Sequence, residues 1–196
     1  MAETPADAPT INVRGERVAL GPLRRDLLLI YERWRNDFGT APMLGNATPE
    51  PAETVSAWYE RQIASAEITF VIYELATWRP LGTATLYDVH YGYRRASFGI
   101  MIGETEARGR GYGTEVTRLI LDYAFTILEL HNVMLTVNAY NVAGIRAYTR
   151  AGFREFGRRR ECRPHHGTAH DVIYMDCLAT EFLAATAPTA TPPIAH

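Results

Sequence analysis

The chain has 196 residues, 47% of them hydrophobic and 21% charged, which is enough for one globular domain with a sizeable core. Its formal net charge of -2 provides no positive field for nucleic acid or an anionic membrane, so we expect neither as a partner. No stretch approaches the roughly 20 apolar residues of a membrane span, and residues 1–10 lack the pattern of a signal peptide. We therefore expect a cytoplasmic protein.

All 20 basic residues are arginine, because the sequence contains no lysine. This excludes a Schiff-base lysine and a phosphate-binding loop of the lysine-containing type. The two cysteines, Cys162 and Cys177, are more typical of two buried thiols than of a disulfide, although they could face each other in a hairpin. The three histidines near residue 168, in the stretch HHGTAHD, lack convincing ligand spacing, and we expect no metal site.

Segments rich in alanine, proline and threonine predict tails over residues 1–9 and 184–196, with a single domain over residues 10–183. Hydrophobic spacing between the tails predicts, in chain order, a strand (11–23), two helices (24–37 and 49–66), three strands (68–76, 80–91 and 96–103), a helix from residue 111 or 112, a strand (133–139), a short helix (141–153) and a closing hairpin (154–178). This order indicates an α+β fold with a mixed, mostly antiparallel sheet and flanking helices.

The stretch RGRGYGTE, residues 108–115, joins a predicted strand to a predicted helix. The first turn of a helix offers unpaired N–H groups and the positive end of the helix dipole, and glycines allow a phosphate to approach them. A tight turn without any ligand explains the same glycines. A nicotinamide-binding fold is disfavoured, because three strand-like runs precede the loop without intervening helices.

Two motifs together resemble the GNAT superfamily of acetyl-CoA-dependent N-acetyltransferases. Arg108-x-x-Gly111-x-Gly113 is similar to that family's [Q/R]-x-x-G-x-[G/A] loop. The segment NVAGIRAYTRAGF, residues 141–153, is similar to its N-x-x-x-I-x-x-Y-x-x-x-G-F segment. The stretches ERWRNDF and GTAHDVIYMDCL further resemble the RimJ/RimL-like branch, which acetylates the N-termini of ribosomal proteins.

This resemblance implies a sheet splayed at its centre, with acetyl-CoA bound in the opening as co-substrate. The strand end and the glycine loop would hold the coenzyme, with a backbone N–H near Ile102 polarising the acetyl carbonyl. Asn141 would hold the pantetheine arm. The coenzyme-binding residues implied are Met101, Ile102, Gly103, Arg108, Gly109, Arg110, Gly111, Gly113, Thr114 and Asn141.

The implied reaction is direct attack of a neutral amine on the thioester, so it needs a proton acceptor and a proton donor. Tyr148 matches the family's general acid, and the alternative for it is a core tyrosine. Glu104, at the end of a predicted strand, is our candidate for the general base. Asp88, Glu74, Asp37 or a water chain remain alternatives for that role.

The resemblance also implies that Trp34, Asn36 and Asp37 border the acceptor pocket, although Trp34 fits the core equally well. The aromatic residues Tyr87, Tyr91 and Tyr93, together with Asp88, could line a compact pocket for a cation. For this reason we favour a small-molecule amine such as a polyamine, an amino sugar or an antibiotic. A protein N-terminus and a non-catalytic acyl-CoA-binding module are the alternatives. A homodimer is left open.

Overall fold

The computed structural model describes residues 8–37, 39 and 48–186. The predicted tails lie mostly outside this range. The described elements, in chain order, are β1 (Val13–Arg14), β2 (Val18–Pro22), α1 (Leu28–Arg35), α2 (Ala52–Ala64), β3 (Ile68–Glu74), β4 (Pro80–His90), β5 (Arg95–Ile102), α3 (Tyr112–Asp122), β6 (Asn132–Asn138), α4 (Val142–Ala151), β7 (Arg154–His165), β8 (Thr168–Leu178) and α5 (Ala179–Thr186).

The eight strands form one sheet in the order β1-β2-β3-β4-β5-β6-β8-β7. Every neighbouring pair is antiparallel except β5 and β6, which run parallel because α3 carries the chain back between them. The predicted α+β class and the mixed, mostly antiparallel sheet are thus confirmed.

Beta strands 5 and 6 pair along only part of their length. The pairs run from Arg95 opposite Asn132 to Ser97 opposite Met134, whereas β5 continues to Ile102 and β6 to Asn138. The carboxyl-terminal halves of the two strands therefore separate. This is the splayed centre that the family resemblance implied.

Both faces of the sheet are covered, as the alternation along β3 shows. Phe70 and Ile72 belong to the larger core cluster, which includes the buried side of α3, while Val71 and Tyr73 belong to a second cluster with α1 and α2. Successive side chains of a strand point to opposite faces, so an unbroken apolar run marks a strand buried on both sides. The result is three layers with the sheet in the middle.

Several predicted boundaries differ from the observed ones. The opening strand is two short antiparallel strands, because the chain turns at Gly15 and pairs Val13 with Leu20. The helix behind the glycine loop changes at Tyr123 to a π-helical turn that ends at Ile127. A final helix, α5, extends into the predicted C-terminal tail as far as Thr186.

The two thiols stay apart in the fold. Cys162 and Cys177 are both free, with Cys177 buried and Cys162 only half-buried on the edge strand β7.

None of the helices in the described part of the chain is both long and apolar enough to cross a bilayer.

Candidate active site

The glycine loop connects the end of β5 to the start of α3 in a conformation that needs glycine. Gly109 and Gly111 have φ angles of 71° and 85°, in the left-handed region that side chains disfavour. The first N–H···O=C bond of the helix is donated by Glu115 to the carbonyl of Gly111, 3.2 Å away. The amides of residues 112–114 precede it and have no acceptor within the helix, so they are available to an anion.

The start of α3 is fixed to the first hairpin by Glu115. Its Oε1 accepts hydrogen bonds from the backbone N–H groups of Glu16 and Arg17, both at 2.8 Å, and from that of Val18 at 3.2 Å. The guanidinium of Arg17 donates to the second carboxylate oxygen and to the carbonyl of Arg110. This anchor was not predicted, because it joins residues almost 100 positions apart in the sequence.

The opening between β5 and β6 is lined by unpaired backbone. Opposite residues of antiparallel strands alternate between hydrogen-bonded and non-bonded pairs. Gly103 donates to Leu81 on the β4 side, at 2.9 Å, so Ile102 and Ile100 must direct their N–H groups away from β4, into the opening. The carbonyl of Ile102 is occupied by Arg108 Nε at 3.1 Å. The same alternation directs the N–H of Thr136 on β6 toward the opening, since Ala139 donates to Asp171 on the β8 side.

A cavity of about 980 Å³ contains this opening and the glycine loop. It joins two regions that lie on different sides of the central strands. One region is formed by residues 107–109 and 111–114, by Asn141 and by α4, which contributes Arg146, Tyr148 and Arg150. The second is formed by Arg35, Glu50, Trp58, Gln62, Glu67, Thr83, Thr85 and Tyr87. A molecule bound at the loop can therefore meet a second one that enters from α2, β3 and β4.

Tyr148 lies on α4 and lines this cavity. Its ring packs edge-on against Phe98 and Phe153, and its hydroxyl makes no hydrogen bond to another described residue. Burial, followed by the proximity of Tyr87, raises the pKa of Tyr148 to about 12. The hydroxyl therefore stays protonated at every physiological pH and is an available donor.

Two of the predicted coenzyme ligands use their side chains inside the protein. Asn141 caps α4, because its Oδ1 accepts from the N–H of Gly144 at 2.9 Å. Arg108 donates to the carbonyls of Ile102 and Gly103 and pairs with Asp37 at 3.2 Å. Both residues still line the cavity, together with Met101, Ile102, Gly109, Gly111, Gly113 and Thr114. Gly103 and Arg110 are absent from its lining.

Glu104, the candidate base, is buried at 6% exposure and held by three donors. It accepts from Trp34 Nε1 at 2.7 Å and pairs with the guanidinium groups of Arg33 and Arg79. The described cavity lining does not include it.

Trp34 lies in the second core cluster at 1% exposure, directly against Gly103. A β-carbon on Gly103 would overlap the indole ring, so the bare backbone at the end of β5 lets α1 pack against it. Trp34 is thus placed as a core residue, which was the open alternative in the sequence.

The other residues predicted to bind the acceptor lie in different parts of the structure and do not form one pocket. Asn36 exchanges hydrogen bonds with the backbone of Glu50, at 2.8 Å in both directions, and connects α1 to the segment before α2. Asp88 is exposed at a bulge in β4 with φ 51° and does not line the cavity. Tyr87 does line it, and burial, with smaller contributions from the Asp88 and Glu67 carboxylates, raises its pKa.

Sequence reasoning did not identify the acidic and amide groups of the second region. Glu50 makes a two-point ion pair with Arg35, at 2.6 and 2.9 Å, and the guanidinium of Arg35 lies over the ring of Trp58. Gln62 donates to Glu67 at 2.7 Å and accepts from Thr69. No motif signals these residues, because α1, α2 and β3 bring them together only in the fold.

The histidine-rich turn shows stacked rings. Tyr140 stacks on His165 with ring centres 4.1 Å apart and meets His170 edge-on. Among the described residues no group of three or more histidine, cysteine or carboxylate side chains is arranged to hold a metal ion.

The charge of the cavity suits a polyanion at the glycine loop. Its lining contains five arginines, namely Arg35, Arg108, Arg146, Arg150 and Arg163, against two described carboxylates. Coenzyme A carries a diphosphate and a further phosphate, so it fits unpaired amides at a helix N-terminus flanked by arginines. Unpaired amides at a helix N-terminus, an opened strand pair and a half-buried tyrosine hydroxyl in one cavity together fit an acyl-CoA-dependent transferase.

Comparison with known proteins agrees with this class. The family model for the acetyltransferase (GNAT) domain matches residues 17–154. Spermidine N(1)-acetyltransferase of Vibrio cholerae is 34% identical over 119 residues, which are 61% of this chain and 68% of the relative. The Escherichia coli K12 spermidine N(1)-acetyltransferase is 29% identical over 171 residues, 85% of this chain and 89% of the relative.

A crystal structure of the Vibrio cholerae spermidine N-acetyltransferase in complex with CoA and spermine has the same fold. Its TM-score is 0.78 at 28% identity, over 85% of this chain and 98% of that one. The chain belongs to the GNAT acetyltransferase family. It is an acetyl-CoA-dependent N-acetyltransferase, and the non-catalytic module is no longer a competing interpretation.

Proposed function

We propose that this enzyme acetylates a primary amine of a small molecule, with Tyr148 as general acid and the glycine loop as the coenzyme site. One observation carries the proposal: a single cavity joins the free amides of the loop, the hydroxyl of Tyr148 and a second region formed by α2, β3 and β4. The named substrates of the spermidine acetyltransferases support a small amine over a protein N-terminus. A putative ribosomal N-acetyltransferase of Bacillus subtilis matches only 52% of this chain, less than either spermidine acetyltransferase, so the comparisons favour the spermidine acetyltransferases over the RimJ/RimL-like branch.

Acetyl-CoA supplies the activated acetyl group when it is bound. The amides of Tyr112, Gly113 and Thr114 would hold its diphosphate, and the N–H groups of Ile100 and Ile102 would bind groups along the opening. Because Ile100 is directed like Ile102, either amide can polarise a carbonyl placed between β5 and β6. Tyr148 would donate its proton toward the departing sulfur.

The incoming amine must lose a proton before it attacks. An alkylammonium with a pKa of about 10.4 is only about 0.1% neutral near pH 7.4. Glu104 is held by arginines away from the cavity, and Glu74 is held by Tyr112 and Thr77. We therefore propose that water in the cavity accepts the proton, and that Glu104 instead fixes α1 against the end of β5.

We further propose one catalytic domain over residues 10–183, located in the cytoplasm. The Vibrio cholerae enzyme has a structure described as dodecameric. On that basis we propose that this chain also assembles into an oligomer.

The test uses the open space around Gly113. Among the described residues, no atom outside the helix backbone and the chain neighbours lies within 4 Å of a β-carbon added there, so Gly113→Ala should leave the fold intact and favour the helix. The added methyl would stand between the amides and a diphosphate. We expect the Kd for acetyl-CoA, measured by calorimetry, to rise about tenfold or more.

Gly157→Ala is the matched control, because its β-carbon also meets nothing within 4 Å but lies on the edge strand. Release of CoA with a panel of small amines and with peptides, followed by mass spectrometry of the products, identifies the acceptor class. Unchanged coenzyme affinity in Gly113→Ala, or acetylation of peptides alone, would contradict the proposal.

A further inference from the structure

Among the described residues that line the cavity, Glu67 carries a carboxylate that is not paired with any arginine. Two carboxylates line the cavity within the described residues, Glu50 and Glu67. Glu50 is paired at two points with Arg35. The carboxylate of Glu67, by contrast, has one described partner, the neutral amide of Gln62 at 2.7 Å. Residues 38–49 contain no acidic residue in the sequence, so that segment cannot supply another carboxylate.

The position of this carboxylate is fixed by a chain of neutral groups. Gln62 donates to Glu67 and accepts from the hydroxyl of Thr69 at 2.6 Å, and Thr69 is within 3.0 Å of the hydroxyl of Thr85. Because the Gln62 amide is hydrogen-bonded through both its nitrogen and its oxygen, its orientation is fixed, and it orients the Glu67 carboxylate without neutralising the charge. The side chain of Glu67 is exposed at the mouth of the cavity, where a cation can reach it.

The distance from Glu67 to the reaction region follows from the register. Ile68 lies opposite Leu86, which places Glu67 beside Tyr87, and Tyr87 lies opposite Ser97 on β5. Two interstrand spacings, about 10 Å, thus separate the backbone of Glu67 from β5, and the glutamate side chain shortens the gap further. The raised pKa of Tyr87, to which the Glu67 carboxylate contributes, agrees with this proximity. A short amine can reach from the opening to Glu67.

We propose that Glu67 is the specificity-determining residue that binds one second cationic group of the acceptor, so that the preferred acceptors are short diamines. This inference rests on the proposed function and names the substrate class of that site. One available carboxylate matches one extra charge. A longer polyamine would place its remaining ammonium groups beside no further carboxylate of the described cavity lining, and would gain no affinity from them.

The experiment compares putrescine with butylamine, which has the same chain but a methyl group in place of the second ammonium. We expect wild type to favour putrescine by about two- to fivefold in kcat/KM, mainly through KM, as for one exposed charge pair. Glu67→Gln keeps the shape and removes the charge, so this preference should fall to about one. Added salt should weaken the preference in wild type and have little effect on the ratio in the variant.

Glu53→Gln is the control, because Glu53 is an exposed glutamate of α2 that does not line the cavity. A putrescine preference that survives in Glu67→Gln, or equal loss with both amines, would overturn the inference. A further gain of several-fold from putrescine to spermidine in wild type would overturn the single-charge part. Absence of turnover with every amine would overturn the proposed function as well, which distinguishes the two failures.

Discussion

Replacing Tyr148 with phenylalanine should slow catalysis strongly while leaving the fold and coenzyme binding intact. The hydroxyl makes no hydrogen bond to another described residue, so its removal leaves no partner unsatisfied. A hydrogen bond to a charged group contributes about 1.5–3 kcal/mol, which corresponds to about 10- to 150-fold in rate. Since the ring is half-buried and packs against Phe98 and Phe153, water is partly excluded from it, and we expect a fall in kcat within this range, about 30-fold or more.

The raised pKa of Tyr148 does not prevent it from acting as the acid. A free thiol has a pKa near 8.5, so a tyrosine with a pKa of about 12 would be a poor donor to a thiolate in water. Burial raises the pKa of a thiol too, and in this protein it raises that of Cys177 to about 12. A sulfur leaving inside the cavity is shifted in the same direction, so the two groups become closer in acidity.

The assay is release of free CoA under saturating substrates, at several pH values, with coenzyme affinity measured separately. Tyr123→Phe is the matched control: Tyr123 also packs edge-on against a phenylalanine, Phe70, and burial raises its pKa, but it lies outside the cavity lining. In wild type, activity should rise with pH as the amine deprotonates, without a fall from Tyr148 below about pH 11. A kcat for Tyr148→Phe within about threefold of wild type would refute the acid role.

Two further predictions concern stability. Gly103→Ala should lower the free energy of unfolding, measured by urea denaturation, by about 3 kcal/mol, because the new methyl overlaps the buried ring of Trp34. Adding Trp34→Leu to the same chain should restore part of the loss. An unchanged urea denaturation curve for Gly103→Ala would contradict this packing. Cys177 is 1% exposed and burial raises its folded-state pKa from 9.0 to about 12, so its contribution to stability is complete below pH 9 and is lost as pH rises toward 12. Between about pH 9 and about pH 10.5 wild type should lose about 2 kcal/mol more than Cys177→Ala, and parallel curves for the two proteins would disprove this.

The fold was predictable from the sequence where a local pattern determines the structure. Glycines that need positive φ stand before a helix with strong apolar periodicity, and three strand-like runs without helices between them indicate an antiparallel sheet. The opening strand was predicted as one element, because the hydrogen bond that turns it at Gly15 leaves little trace in hydrophobic spacing. A π-helical turn at Tyr123 has no sequence signal of its own.

The site was less predictable because its electrostatics depend on contacts between distant segments. Glu104 looks like an available carboxylate at a strand end until Arg33 and Arg79 are brought beside it by α1 and β4. Glu67, in contrast, belongs to no recognisable sequence motif. Its position on the cavity wall, without a described cationic partner, is visible only in the fold. Local motifs identify a chemistry, whereas long-range packing decides which carboxylates remain free for it.

Because β5 and β6 pair over only a short length, a bound coenzyme would contribute to the stability of the sheet. Three residue pairs connect the two halves of the sheet, and beyond Ser97 the edges face each other with unmatched amides. A pantetheine chain lying there would serve as a substitute strand and tie the halves together. In the ligand-free enzyme, local opening should therefore begin between β5 and β6. Because acetyl-CoA binds the folded state, its concentration in the cell should determine the resistance of the enzyme to unfolding and proteolysis as well as its rate of turnover.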